Sequence, residues 1–576
     1  MPNLDINLKN IFDLFKNNEL DKALELCDQN TQKKIEHIVY NFKGAIYLKK
    51  QNIIKAQENF LSSIESNKDF IDPYKNLFII YNNKKEFNNL VEIAYKILEF
   101  DKKSSVYNFQ VGYALEKNGH LSKSLEYYEK ANNLGFNDKK KLFNNLANVY
   151  LNLGKIDKSI ELYENTYLSN TKDKVLLNNL LGVYLQKRNV KKSEYYLNEG
   201  EKLDSEYLIF KFHKAKYLFL INKVDEAINL LKEIISTENN IEFIGLLCRI
   251  YFMTSRLTDG NKLLTEQLSK YPNNPKLLRF KCFRSLIEGN FDEGWKLYKY
   301  SQSNYSIKFP SIPEWMGEDL NSKKILVYND QGIGDAIQFS KYLINLNKKC
   351  KNIDFISNKS LVEIFDVKEY EGLNLVKEEN IDLNKYNFKI SLVSLVKFFY
   401  KDPDLSTKNL IKVDLNEINS FKNKIDNKKP NIGIAWSGTF YGPKQPYRSI
   451  PLDKFKDIIS FDFNFYCLQS EIWESDQKIF DTLNLVNKGD LKFKALSAFI
   501  QNLDLVISAD TAILHLAASL GKETWGVISI DPDWRWGKFH EFYKYKNLKI
   551  YKQNKFNDWK EIIKIIKKDL SEKFKS

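Results

Sequence analysis

Through the first three hundred residues apolar and polar positions recur at helical spacing, in blocks long enough for two helices each. Small or apolar residues stand at Ile11, Gly44, Phe78, Gly112, Ala147, Leu181, Ala215, Cys248 and Cys282, in steps of 33, 34, 34, 35, 34, 34, 33 and 34. A second column follows twelve residues after each: Ala23, Ala56, Leu90, Ser124, Ser159, Ser193, Ala227, Gly260 and Gly294. Two columns in phase mean a repeated supersecondary unit. The first marks where two antiparallel helices cross closely and the second where the partner helix returns, since bulk at either place would push the pair apart. Aromatics such as Tyr47, Phe60, Tyr81, Tyr128, Tyr150 and Tyr163 fill the space around the crossings. The pattern predicts an α-solenoid of about nine helix pairs over residues 1–304.

The texture changes after Tyr305. Phe309-Pro310-Ser311-Ile312-Pro313 breaks helix, and short β-branched runs then alternate with helical stretches. Strands are expected at 325–328, 353–357, 389–393, 431–436, 463–468, 505–508 and 524–529, with a helix at 336–347 among those between them. Such alternation argues for parallel sheets wound by helices. Two segments, 329–335 and 508–515, each read as strand, tight turn and helix, which predicts two Rossmann-like lobes. Ligands of open α/β folds bind beyond the carboxyl ends of the strands, so facing lobes would bring both turns to one cleft. The expected division is a linker at 305–323, a first lobe at 324–428 on the acceptor side and a second at 429–576 on the donor side.

Composition narrows the function classes. The 576 residues exceed one core and suggest three or four units, and 43% hydrophobic with 14% aromatic residues excludes wholesale disorder. The start, Met1-Pro2-Asn3-Leu4-Asp5, lacks the basic and apolar regions of a secretion signal, and no later run has the length of a membrane span. Cys27, Cys248, Cys282, Cys350 and Cys467 stand far apart without a CxxC, as reduced core residues do. A cytoplasmic location is the expectation. The net charge of +14 comes from lysines scattered along the chain beside acids, a pattern of solvated faces rather than of nucleic-acid binding, although it also suits peripheral contact with an anionic membrane. The five histidines, His37, His120, His213, His515 and His540, form no local cluster of metal-ligand spacing. No metal or cofactor is expected.

Three segments carry candidate chemistry. Gly332-Ile333-Gly334-Asp335 follows the strand 324–328; glycines let backbone approach a ligand, whereas Ile337 in place of a third glycine departs from the dinucleotide fingerprint. Asp335 reads equally as a helix cap. Asp510-Thr511-Ala512-Ile513-Leu514-His515 follows a second strand, and amides at that helix start, with the Thr511 hydroxyl, would seat a diphosphate; the bland alternatives are an N-cap and a core histidine. Between them Trp436-Ser437-Gly438-Thr439 ends a strand, and a polar loop runs through Lys444 to Arg448, two cations able to neutralise phosphate or simply to face water. Asp533-Trp534-Arg535-Trp536 suits a cleft rim and an inter-lobe contact equally.

The repeats resemble the tetratricopeptide family. The stretches Gly289-Asn290-Phe291-Asp292-Glu293-Gly294-Trp295-Lys296-Leu297-Tyr298, Gln331-Gly332-Ile333-Gly334-Asp335-Ala336-Ile337-Gln338-Phe339, Ile434-Ala435-Trp436-Ser437-Gly438, Arg448-Ser449-Ile450-Pro451-Leu452, Ser508-Ala509-Asp510-Thr511-Ala512, His515-Leu516-Ala517 and Pro532-Asp533-Trp534-Arg535-Trp536 together resemble bacterial tetratricopeptide proteins with a C-terminal module similar to heptosyltransferase-type, GT-B glycosyltransferases. That resemblance implies Asp335 as catalytic base, Arg448 as a donor-phosphate contact and Asp510, Thr511, Ala512 and His515 as the donor-binding turn, with Gly332, Gly334, Ser437 and Lys444 beside the donor. Residues 363–427 depart from the family pattern, in the region that would shape the acceptor site.

The resulting expectation is a metal-independent, inverting glycosyltransferase. It would move a sugar from a nucleotide-sugar donor to an acceptor hydroxyl, with the repeat groove presenting a protein acceptor or docking a peptide or protein partner. Two rivals stand beside it: a non-catalytic adaptor with a degenerate transferase module, and a transferase acting on a lipid-linked or polysaccharide sugar.

Overall fold

The computed structural model describes residues 6–30, 32–169, 173–301, 309–402, 410–426, 428–439, 447–541 and 545–574. Contacts along the chain divide it into two compact units, Met1–Lys223 and Val224–Ser576.

The first unit is helical among its described residues, from Ile6–Lys16 to Leu208–Leu220. Its helix starts have a chemical cause: the side chains of Asn52, Ser104, Asp138, Asp173 and Asn189 each accept a hydrogen bond from an amide of the first turn. The two small-residue columns are buried in both units, except that Phe78 is half-buried with Leu77 taking the core position. At Gly44 a Cβ would come within 2.6 Å of the Phe60 ring, and at Gly112 within 2.8 Å of Tyr128, so the missing side chain is what lets the aromatic close the pair. The second column also bonds the first: Ser124 Oγ donates to Gly112 O (2.7 Å) and Ser159 Oγ to Ala147 O (2.8 Å).

The second unit begins with five further helices, Val224–Thr237, Ile241–Met253, Leu257–Lys270, Pro275–Glu288 and Phe291–Leu297. Two sheets follow. β1 (Ile325–Tyr328), β2 (Ile353–Ile356), β3 (Leu373–Leu375) and β4 (Phe388–Ser391) form a parallel sheet of order β3-β2-β1-β4. β5 (Asn431–Ala435), β6 (Asn464–Cys467), β7 (Val486–Asn487), β8 (Leu505–Ala509), β9 (Thr524–Ile528) and β10 (Leu548–Lys552) form a parallel sheet of order β10-β9-β8-β5-β6-β7. The inner strands β1, β5, β8 and β9 are buried throughout, as parallel strands covered on both faces must be.

Two local expectations are corrected. The single helix expected at 336–347 is two, Ile333–Phe339 and Tyr342–Lys349, and at the break the Ser340 hydroxyl donates to the Ile337 carbonyl (3.0 Å). β3, β7 and β10 were not expected; all three are sheet edges, where a strand is short or half-wet and its apolar run correspondingly weak.

The compact units do not divide at residue 304, because the last two helices share a core with the sheets. One buried cluster runs from Cys282, Leu286 and Trp295 through Val327 and Phe339 to Val506, Leu516 and Trp534. A second core lies against the larger sheet and contains Ile432, Trp436, Phe455, Trp525 and Ile566. Backbone meets backbone here: a Cβ on Gly537 would stand 2.5 Å from the Ile287 carbonyl oxygen.

Candidate active site

Both sheets change strand order next to a loop that carries candidate residues. β1 lies between β2 and β4, and the turn after it holds Gly332, Gly334 and Asp335; β5 lies between β6 and β8, and Ser437 and Asp510 follow β5 and β8. Such reversals open crevices at the carboxyl ends of strands.

The two turns touch. A Cβ on Gly334 would lie 3.1 Å from His515 Cδ2 and 3.5 Å from the Ala512 Cα. Glycine at 334 therefore admits the helix of the other lobe. Gly332 is the N-cap of Ile333–Phe339 and supplies no side-chain bond, so Asp335 falls in the first turn and is not the cap. Its carboxylate instead receives a hydrogen bond from the Arg535 guanidinium, whose Nε lies 3.1 Å from Asp533.

Burial and mutual charge set the electrostatics of this cluster. Burial raises the Asp335 pKa, and the negative charges of Asp533 and Asp510 add to the rise against the pull of Arg535. Burial would lower Arg535, but Asp335, Asp533 and Asp510 outweigh it and hold the guanidinium above its ordinary value. Tyr298, from the end of the helical part, is raised well above the usual phenol range by burial, with Asp330 and Asp335 adding to it.

On the other lobe Thr511 caps Ala512–Ser519, its Oγ1 accepting from the Ile513 amide (3.2 Å) and lying 3.1 Å from Ser508 Oγ. His515 is buried, its ring parallel to Trp536 at 5.6 Å and its Nδ1 3.3 Å from Tyr545 Oη. Nε2 has no hydrogen-bond partner among the described residues, the Asp510 carboxylate standing 3.8 Å away. Burial, with the charges of Arg535 and Arg448, holds His515 well below its ordinary pKa, so it is neutral. Arg448 is near enough to be felt there, and its Nε is buried without a partner among the described residues. Ser437 is enclosed: its amide donates to Gln469 Oε1 (3.0 Å) and its Oγ accepts from Gln469 Nε2 (3.0 Å). Lys444 lies outside the described residues.

The arrangement thus gathers Gly334, Asp335, Asp510, Thr511, Ala512 and His515, keeps Arg448 close, and places Ser437 one strand away. Arg535 is the central residue that residue-type reasoning did not single out. The Asp533–Trp536 motif is an inter-lobe contact: Trp534 stacks on Phe339 (5.7 Å, 3°) and meets Trp295 edge-on at 5.4 Å. Gln469 carried no signal, being an ordinary polar residue after β6.

Helical repeats followed by two parallel sheets, whose turns at Gly334 and Ala512 touch, define a repeat protein bearing a two-lobed α/β module. Comparison with known proteins agrees at both ends: residues 469–558 match glycosyltransferase family 9 (heptosyltransferase), and residues 141–165 match a tetratricopeptide repeat. The first match begins at Gln469 and takes in the Asp510–His515 turn and Arg535. The photosystem I assembly protein Ycf3 of Prochlorococcus marinus strain MIT 9301 is 35% identical over 109 residues, 18% of this chain and 62% of that protein. Its counterpart in strain MIT 9312 is 34% identical over the same length, so the chain spans under two thirds of these relatives. Among solved structures, a tetratricopeptide repeat protein from Parabacteroides merdae is 13% identical, covers 47% of this chain and 94% of its own, and has a TM-score of 0.33. PilF of Pseudomonas aeruginosa is 14% identical over 37% of this chain and 96% of its own, with a TM-score of 0.30. Among the described residues no helix is long and apolar enough to cross a membrane, and all five cysteines are buried and unbridged.

Proposed function

We propose that the chain is a cytoplasmic glycosyltransferase that binds a nucleotide sugar through its C-terminal lobe and passes the sugar to an acceptor hydroxyl at the paired turns. The observation that carries this reading is the packing of Gly334 on Ala512 and His515, which brings Asp335 beside the turn that lies within the family 9 match. Asp335 accepts the acceptor's hydroxyl proton as that oxygen attacks the anomeric carbon; its raised pKa makes it a stronger base than a solvated carboxylate. The bond from the anomeric carbon to the diphosphate oxygen breaks on the opposite side, its electron pair leaves with the diphosphate, and the configuration inverts. Arg448 and the positive end of the helix Ala512–Ser519 meet the leaving charge, so no metal is assigned to the step. The tetratricopeptide helices recruit a protein acceptor or partner; a lipid-linked or polysaccharide acceptor is the alternative substrate.

A non-catalytic reading draws on a specific feature, the engagement of Asp335 with Arg535 in a buried contact that also suits a purely structural joint. A thermal-shift screen against nucleotide sugars tests donor binding directly, because a ligand that binds only the folded state raises the unfolding temperature. Transfer requires at least one nucleotide sugar to do so at millimolar concentration; a flat response across uridine, guanosine, adenosine and cytidine donors would falsify the donor site.

A further inference from the structure

Most of the chain balances its lysines with acids, but residues 546–576 hold ten lysines, four acids and no arginine, so this stretch carries six of the fourteen net positive charges. Ten cations in 31 residues, against 88 in 576 for the whole chain, is twice the average density. The fold gathers them. β10 is the edge of the larger sheet, and the helix Lys560–Lys573 packs beside it. Ile562, Ile563, Ile566 and Leu570 share a core with Tyr551, whose hydroxyl donates to Asp569 (2.6 Å).

Every acid of the stretch is engaged. Asp569 also takes the Lys549 ammonium (2.6 Å), and Glu572 stands 3.8 Å from Lys568. Glu561 accepts from the Asn554 side chain, and Asp558 from the Lys560 backbone amide (3.1 Å). Left over are Lys546, Lys552, Lys555, Lys560, Lys564 and Lys567, of which only Lys567 is half-buried. None of the six makes an ion pair within 4.0 Å among the described residues.

Lysine on an edge strand keeps other strands from pairing there, which accounts for Lys549 and Lys552. The helix has no such edge to guard. Lys560, Lys564 and Lys568 follow at four-residue spacing, with Lys567 three after Lys564, and like charges so placed weaken a helix. Ile565, one turn before Lys568, is 46% exposed, whereas the other isoleucines of the helix are buried. An exposed isoleucine beside a stripe of ammonium groups matches a surface that is negative outside and apolar beneath, as a bilayer is. Nucleic acid fits less well. Its recognition draws on guanidinium forks and stacked rings, and residues 546–574 offer no arginine and no exposed aromatic among the described residues.

We propose that the helix Lys560–Lys573 and the neighbouring edge strand β10 form a face that binds an anionic lipid bilayer, with Ile565 entering the headgroup layer. The assignment is independent of the donor reading above, since it concerns a surface outside the paired turns.

Flotation of the full chain with vesicles of phosphatidylcholine alone, and with about 30% phosphatidylglycerol added, tests it. Binding is expected only with the anionic lipid, and it should weaken at least tenfold between about 0.1 and about 0.5 M salt. A variant combining Lys552→Gln, Lys560→Gln, Lys564→Gln and Lys567→Gln should bind at least tenfold more weakly, and Ile565→Ser severalfold more weakly. A control combining Lys33→Gln, Lys34→Gln, Lys102→Gln and Lys103→Gln, at exposed lysines of the helical repeats, should bind as wild type does. A wild type that does not float with the anionic vesicles, or floats equally at both salt concentrations, overturns the proposal. Equal losses in the two quadruple variants also overturn it, because net charge alone would then explain the binding. A wild type that prefers duplex DNA to the vesicles, with Ile565→Ser unchanged on both, assigns the face to nucleic acid instead. The substituted lysines of the face have no ion pair to lose, so the urea midpoint should hold; if it does not, the lipid and salt dependence of wild type and Ile565→Ser decide.

Discussion

The Arg535 guanidinium donates to the Asp335 carboxylate, joining the loop after β9 to the turn after β1 across 200 residues of chain. Both side chains are enclosed, at 11% and 17% exposure, so the pair has little water to fall back on. Removing one member of such a pair strands the other. Arg535→Met leaves Asp335, Asp533 and Asp510 without their common cation and should destabilise the protein by about 3–5 kcal/mol. Asp335→Asn should cost less, because Arg535 keeps Asp533 at 3.1 Å. Urea unfolding of both variants checks the order; equal costs, or a cost under about 1 kcal/mol for Arg535→Met, would show that the pair does not bind the lobes together.

Each helical repeat turns on a left-handed residue seven positions after its first-column residue. These are Asn18, Gln51, Lys85, Gly119, Gly154, Arg188, Asn222, Ser255 and Gly289, all with φ between 55° and 90°. Only glycine adopts this backbone without strain, and other side chains lose about 1 kcal/mol there. Lys85, exposed and with φ 58°, is the simplest test. Lys85→Gly should raise stability by up to about 1 kcal/mol, and Gly119→Ala should lower it by a similar amount. Chemical denaturation of the two variants decides, and a destabilising Lys85→Gly would mean that chain entropy outweighs the relieved strain.

The hydrophobic columns made the repeats legible because every helix pair must meet the same steric condition, and the turn residues share their spacing. Six non-glycine residues at the turns hid that position, since no residue type marks it. Inner strands such as Leu505–Ala509 were readable from continuous apolar runs, whereas edge strands such as Leu548–Lys552 carry lysines, here Lys549 and Lys552, that interrupt the apolar run. The site divided in the same way. Asp335, Thr511 and His515 stand next to strand ends and could be located from the chain alone. Arg535 as partner of Asp335 could not, because a contact across 200 residues leaves no local spacing to read.

Acid should weaken the fold through buried neutral histidines. Burial brings His213 down to about 3, with its Nε2 2.7 Å from Asn178 Oδ1, and His515 is lowered in the same direction. A pKa depressed in the folded state means that the unfolded chain takes up the proton first. The stabilisation is therefore complete above about pH 6.5 and drains away as pH falls toward the folded value. For His213 alone the loss between pH 7.5 and 5.0 is about 2 kcal/mol, from 1.36 kcal/mol per pH unit over roughly 1.5 units. His213→Gln, which retains a donor for Asn178, should flatten the profile by that amount in denaturation at the two pH values. A slope identical to wild type would remove His213 as a contributor.

The last prediction separates chemistry from architecture at Asp335. Its carboxylate has two duties open to it, anchoring Arg535 and accepting a proton, and asparagine substitutes far better for the first than for the second. The amide keeps the size of the side chain and an oxygen to face Arg535, while Asp533 still balances the guanidinium. It cannot take up a hydroxyl proton. If Asp335 is the base, turnover in Asp335→Asn should fall by about 100-fold or more, with donor affinity nearly unchanged and only a small shift in unfolding. If it is an anchor alone, any loss of turnover should track a loss of stability or of donor binding, because the Gly334 contact with Ala512 and His515 would loosen with it. Sugar transfer, donor calorimetry and urea unfolding on one preparation of the variant distinguish the two outcomes. Wild type that binds a nucleotide sugar yet transfers it to no protein, lipid-linked or polysaccharide acceptor would instead favour the adaptor, with Asp335 serving the joint between the lobes.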